Sequence, residues 1–386
     1  MKPERITGLS VEDDSPIAVW FSDGMIRKVE KIPAMDLDDP NAYLAPGLID
    51  NQVNGFKGID FCAPDLDVEQ VRKTVLEMWR LGATTFIPTL ITMPEEQLIH
   101  SLHILSEAMV QDDIGPSMPG VHLEGPYISS EPGYRGAHNP EWIRPPDWEE
   151  FQRLQSAAGS KITQITMAPE IPGALEFIER CSRNKIVVAL GHHAAPAEII
   201  HRAAEAGAAV STHLGNACAN MIDRHNNVLW PQLADDNLMA TIIADGHHLT
   251  PDELRVLYRV KGPDNLILVS DLVAFGGVEP GEYPWNGKIL TVTENGTVGV
   301  KGEQILAGAT FPLKEGVANM MRYAGCSLAQ SLGLATRNPA KLNRLFDRGT
   351  LHPGYRADMI RFKMLDNRLQ INETWVGGHC VLRREV

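Results

Sequence analysis

The sequence predicts an α/β fold, a (β/α)8 TIM barrel that carries a small β-sandwich domain built from both termini. Three observations point there. Eight short, almost continuously apolar runs recur through the middle of the chain, helix-patterned segments fill most of the gaps between them, and polar side chains with metal-binding chemistry stand at the C-terminal ends of at least five runs.

The strand candidates are residues 47–53, 84–89, 120–124, 162–167, 186–191, 209–213, 240–244 and 266–271. Their apolar character on both faces suits strands buried on both sides, as in a parallel sheet covered by helices. Helical patterns occupy 67–81, 94–109, 148–158, 173–184, 195–206 and 250–260. The last opens Thr250-Pro251-Asp252-Glu253, an N-cap residue followed by proline at the first helical position and acids in the first turn. A doubly wound open sheet would need a glycine-rich phosphate loop after its first strand, and Gly-x-Gly-x-x-Gly is missing. Eight strands alternating with helices therefore favour the closed barrel.

The ends read differently. Residues 1–46 and 349–386 are short β segments separated by turns such as Asp23-Gly24, Pro353-Gly354 and Gly377-Gly378, and are expected to form one small domain flanking a barrel at 47–348. A further β excursion at 289–305 carries an Asn295-Gly296 hairpin signal.

Composition narrows the function. The chain has 386 residues, 44% of them hydrophobic, and a formal net charge of −14, which lacks the basic footprint of a nucleic-acid-binding protein. Five scattered cysteines without a Cys-x-x-Cys pair argue against a disulfide framework or a zinc knuckle. Residues 1–10 lack the apolar stretch of a secretion signal, and no apolar run reaches the ~18 residues of a membrane span, so a soluble, cytoplasmic protein with no membrane or nucleic-acid partner is expected.

Barrel enzymes carry their chemistry at the C-terminal ends of the strands. Here those ends hold Gln52 and Asn54, Glu124, His192, His213, Asp245 with His248, and Asp271. One carboxylate and two imidazoles, Glu124, His192 and His213, make the three-ligand open site that ions such as Zn²⁺ use in catalysis; Fe²⁺ and Co²⁺ also fit. Asp271 then has the role of general base toward the attacking water and general acid toward the leaving amine.

The motifs resemble those of the N-acetylglucosamine-6-phosphate deacetylase family of the amidohydrolase superfamily. They run in order from Ala45-Pro46-Gly47-Leu48-Ile49-Asp50 through His122-Leu123-Glu124-Gly125-Pro126, His138-Asn139-Pro140, Gly191-His192, Thr212-His213-Leu214, Ala244-Asp245-Gly246 and Leu268-Val269-Ser270-Asp271. The resemblance implies a cytoplasmic hydrolase removing acetate from N-acetylglucosamine 6-phosphate. It makes His138 and His248 substrate contacts and has the Asn216 and Ala217 backbone amides hold the phosphate. Arg224 falls where the family has a phosphate-binding arginine supplied by the neighbouring subunit of a homodimer. Many amidohydrolases carry His-x-His at the end of strand one; Gln52-x-Asn54 here is a vestige of that second metal site and implies one metal per subunit. Gly215 and the run Arg224-His225-Asn226-Asn227 depart from the family pattern around sugar and phosphate. The alternatives are a sister amidohydrolase acting on an unphosphorylated N-acetyl sugar or other N-acyl molecule, and a non-catalytic barrel scaffold.

Overall fold

The computed structural model describes residues 4–384. Eight parallel strands form the central sheet: β1 (Leu48–Val53), β2 (Ala83–Ile91), β3 (Val121–Glu124), β4 (Ile162–Met167), β5 (Val187–Leu190), β6 (Ala208–Ser211), β7 (Met239–Ile243) and β8 (Leu266–Val269). Each pairs with the next in sequence. Between β8 and β1 the ring is closed at the mouth, where Val53 bridges Leu272 in parallel register and the Asn54 N–H donates to the Leu272 carbonyl at 2.7 Å. All eight expected strands are present.

The six expected helices are present as Val68–Arg80, Glu95–Met109, Trp148–Ala157, Ala174–Arg183, Ala197–Glu205 and Pro251–Lys261. Thr250 and Glu253 form the anticipated capping box. Short helices that the pattern did not reveal, Leu229–Ala234 and Leu313–Asn319, follow β6 and β8. Six or seven residues are too few to display an amphipathic repeat. Helices and strands together bury a large apolar core that includes Phe61, Phe86, Phe151 and Leu268, and the strands bury a second, smaller one with Val187, Ala189, Val210, Ile243 and Ile267.

The two ends of the chain share one seven-stranded sheet. Its strand order is His379–Arg383, Arg368–Val376, Met359–Leu365, Tyr43–Pro46, Glu4–Ser10, Pro16–Ser22 and Met25–Lys31. The pairing Ile360–Ala45 joins the two halves, and a separate core of Ile6, Val19, Phe21, Met359 and Trp375 fills this unit. The β excursion is a three-stranded antiparallel sheet, Gly281–Trp285, Lys288–Val292 and Val298–Val300. Its first turn is Asn286-Gly287, both at positive φ (47° and 77°) as a two-residue hairpin requires; the Asn295-Gly296 signal marks the second, longer turn. This small sheet packs Val273, Phe275 and Ala137 around Leu290 and Val300 and so lies beside the barrel mouth.

Candidate active site

Glu124 is the last residue of β3, while His192, His213 and Asp271 each stand two residues beyond the ends of β5, β6 and β8. The sequence reading had the last two inside their strands. They stand outside because their backbones turn left-handed: φ is 52° at His192, 31° at His213 and 52° at Asp271. Non-glycine residues adopt that region at a cost of roughly 1–3 kcal/mol, and it concentrates at functional sites. All three side chains border the same cleft as Glu124.

Glu124, His192 and His213 are buried and converge. Glu124 Oε1 lies 3.3 Å from His192 Nε2 and 3.0 Å from His213 Nε2, and the two imidazole nitrogens are 3.2 Å apart. His192 Nδ1 sits 3.1 Å from the Tyr134 carbonyl, which can only accept, so Nδ1 carries the ring proton and a neutral His192 presents the Nε2 lone pair. That lone pair faces a carboxylate oxygen and a second imidazole nitrogen. Electron-pair donors gathered on one point repel unless a cation sits among them, and one carboxylate with two imidazoles fits a divalent transition ion. Burial raises the Glu124 carboxyl, but the two imidazoles outweigh burial and hold it well below the usual carboxylate range.

Asp271 is buried beside this group. Burial, and then the charge of Glu124, push its carboxyl up to about 7 against the opposing effects of His213, His248 and Asn54. A carboxyl poised near neutrality both takes and returns a proton. Gln52 and Asn54 are engaged in hydrogen bonds here: Gln52 Nε2 donates to Glu124 Oε1 (3.0 Å) and Asp271 Oδ1 (2.9 Å), and Asn54 Nδ2 donates to the same Asp271 oxygen (2.7 Å).

A cleft of about 1000 Å³ opens over these groups. His138 and His248 line it. His138 Nδ1 is paired with Thr92 Oγ1 (2.8 Å), and burial, then His192, bring its pKa down to about 3, so it is neutral. Gly125, at φ 86°, is required behind this pair, because a Cβ there would stand 2.2 Å from Thr92 Oγ1. His248 Nδ1 is paired with Asp245 Oδ2 at 2.8 Å, while Asp245 Oδ1 accepts the His247 and His248 N–H groups. His247 itself is exposed and stacks on Phe311.

The Asn216–Ala217 turn also borders the cleft, with Ala217 at φ 50°. The Asn216 N–H is already taken by the His213 carbonyl (2.9 Å). The Asn216 side-chain Nδ2 is buried without a partner among the described residues and is a donor that the sequence reading did not single out. Arg224 is exposed and does not line the cleft. Among the described residues the cleft is bordered by Asp60, Glu124, Glu253, Asp271 and Glu303, and by no lysine or arginine. Trp285 of the three-stranded sheet also lines it, anchored by an indole N–H donated to Asp60 Oδ2 at 2.9 Å. The Asn286-Gly287 turn next to Trp285 was the available signal for this wall.

The sequence matches the profile of the amidohydrolase family over residues 43–381. It is 32% identical over 352 residues to the N-acetylglucosamine-6-phosphate deacetylase of Bacillus subtilis (strain 168), covering 89% of this chain and 87% of that protein. It is 28% identical over 369 residues to the N-acetylgalactosamine-6-phosphate deacetylase of Escherichia coli O157:H7, covering 95% and 94% of the two chains. The solved structure of a mutant N-acetyl-D-glucosamine-6-phosphate deacetylase from Mycobacterium smegmatis, in complex with N-acetyl-D-glucosamine-6-phosphate, matches with a TM-score of 0.89 at 26% identity, over 99% of this chain and 100% of that one. A buried Glu124/His192/His213 group at the mouth of an eight-stranded barrel agrees with that kinship, and the chain belongs to the amidohydrolase family and, within it, to the N-acetylglucosamine-6-phosphate deacetylases.

Proposed function

We propose that the protein is a metal-dependent deacetylase that hydrolyses the acetamide of N-acetylglucosamine 6-phosphate to glucosamine 6-phosphate and acetate. The observation that carries this is the pairing, in one cleft, of the convergent Glu124/His192/His213 donors with a buried Asp271. Glu124, His192 and His213 hold one divalent ion, for which Zn²⁺ suits the donors. When bound, it polarises a carbonyl and makes a water more acidic. Asp271 takes the proton of the attacking water and delivers it to the departing nitrogen, so the amine leaves neutral. His248 and His138 contact the substrate, His248 through the nitrogen that Asp245 does not occupy.

Among the described residues the cleft offers a phosphate no lysine or arginine. Arg224 is the candidate, supplied by a second copy in a homodimer, with Asn216 Nδ2 and the Ala217 N–H as neutral donors. A sugar phosphate does not cross a bilayer unaided, and no helix among the described residues is long and apolar enough to span one. A cytoplasmic reaction is part of this proposal, resting on the phosphorylated substrate alone.

The acidic lining favours a second reading, an unphosphorylated N-acetyl sugar. Assaying N-acetylglucosamine and N-acetylgalactosamine with and without the 6-phosphate decides between them. A phosphate pocket should favour the phosphorylated sugar by more than about tenfold in kcat/KM, the effect of one charge-assisted contact. Equal rates would reject it.

A further inference from the structure

Alternate residues of a strand share a face, so β1 turns Asp50 and Gln52 to the same side, and Asn54, one residue past its end, reaches the same Asp271 oxygen as Gln52. All three are buried, and all three reach across the seam where β1 meets the end of β8. Asp50 Oδ1 accepts the Ser270 N–H at 3.0 Å. Gln52 divides its two amide hydrogens between Glu124 Oε1 and Asp271 Oδ1, and Asn54 adds a second donor to that Asp271 oxygen. The Asp271 N–H donates to the Gln52 carbonyl at 3.1 Å, and Leu272 accepts from the Asn54 N–H. Residues 270–272 are thus stitched to β1 by side chains and backbone together, at the point where Asp271 holds its left-handed φ.

Two amide donors on one carboxylate oxygen do more than restrain a side chain. They occupy Oδ1, so Oδ2 is the oxygen left for proton transfer. They also fix the plane of the carboxylate, since both donors approach from β1. The Gln52 nitrogen lies between two carboxylates that would otherwise repel, and its two hydrogens satisfy one oxygen of each. We propose that Asp50, Gln52 and Asn54 are the positioning residues of the proton-transfer step: Asp50 sets the backbone before Asp271, while Gln52 and Asn54 aim its carboxylate and lock it in register with the metal ligand Glu124. This rests on the reading of Asp271 as the acid/base.

The test uses the volume-keeping variants Asn54→Leu and Gln52→Met, each alone and combined with Asp271→Asn, with kcat, KM, bound metal and Tm measured for all. Each single variant should lose about ten- to a hundredfold in kcat, the range of one charge-assisted hydrogen bond. KM should stay within about threefold, and Asn54→Leu should keep its metal. In the Asp271→Asn background Asn54→Leu should cost nothing further, because its effect passes through that carboxylate, and Gln52→Met should keep only the smaller part that acts through Glu124. Asn54→Ala and Gln52→Ala serve if a larger apolar group prevents folding. Wild-type kcat in the single variants overturns the inference, as does an unchanged fold-loss in the Asp271→Asn background, which would mark a merely structural role. If Asp271→Asn alone leaves kcat intact, the acid/base assignment fails first, and the two failures are told apart.

Discussion

Asp245 offers a graded perturbation of His248. Its Oδ2 is 2.8 Å from His248 Nδ1, its Oδ1 accepts two backbone N–H groups, and both side chains are nearly buried. A carboxylate can only accept, so Nδ1 carries a proton, and the charge-assisted pairing with Asp245 fixes the ring orientation in which Nε2 meets the substrate. Asp245→Asn keeps the shape and an acceptor oxygen but removes the charge. A hydrogen bond to a charged group contributes about 1.5–3 kcal/mol and a neutral one about 0.5–1.5 kcal/mol, so the loss is about 1–1.5 kcal/mol, or roughly five- to tenfold in kcat/KM. Asp245→Ala also removes the acceptor, and kcat/KM should fall about ten- to a hundredfold, with a lower Tm because the two N–H groups lose their partner. Steady-state kinetics with N-acetylglucosamine 6-phosphate and thermal melts on the same preparations test this. Wild-type kcat/KM in both variants, alongside an impaired His248→Ala, would refute the argument that Asp245 acts through His248.

Other outcomes follow from the same geometry. Metal analysis should find about one equivalent of divalent ion per chain, and His192→Ala or His213→Ala should abolish it; two tightly held equivalents would make Gln52 or Asn54 a ligand. Asp271→Asn should keep its metal while kcat drops by about 10²–10⁴, the range of a lost general acid–base. Arg224→Ala should raise KM for the phosphorylated sugar about tenfold, as loss of one charge-assisted contact allows, and leave turnover of the unphosphorylated sugar unchanged. Sedimentation that finds a fully active monomer would exclude a partner-supplied Arg224.

The barrel was legible because its strands are apolar on both faces and its helices long enough to show a stripe; the short helices after β6 and β8 were not. Glu124, His192, His213 and Asp271 were legible because metal-competent side chains recur at the ends of several strands, which a barrel brings to one mouth. What escaped were the groups that orient them. The Tyr134 carbonyl that fixes the His192 tautomer is backbone and has no residue-type signature. Thr92 is one of many threonines until folding sets it against His138, 46 positions away. Gln52 and Asn54 drew notice as absent histidines, and their hydrogen bonds to Asp271 span more than two hundred residues. The Asn216 N–H counted toward a phosphate cradle is used within its own turn, a local bond that residue type does not announce.

The shared terminal sheet bears on how the chain reaches its fold during synthesis. Strand Tyr43–Pro46 pairs with Met359–Leu365, and the Gly47 N–H, at the threshold of β1, donates to the Asp358 carbonyl. At ribosomal rates of about 5–20 residues per second, the first partner waits about 15–60 s for the second. Through that interval Leu44 and Ala45 stand on an open strand edge, the kind of surface that recruits strands from other chains. The same edge continues directly into the barrel's first strand. Deleting residues beyond 358 should therefore trap nascent chains in aggregates rather than release a working barrel stripped of its appendage.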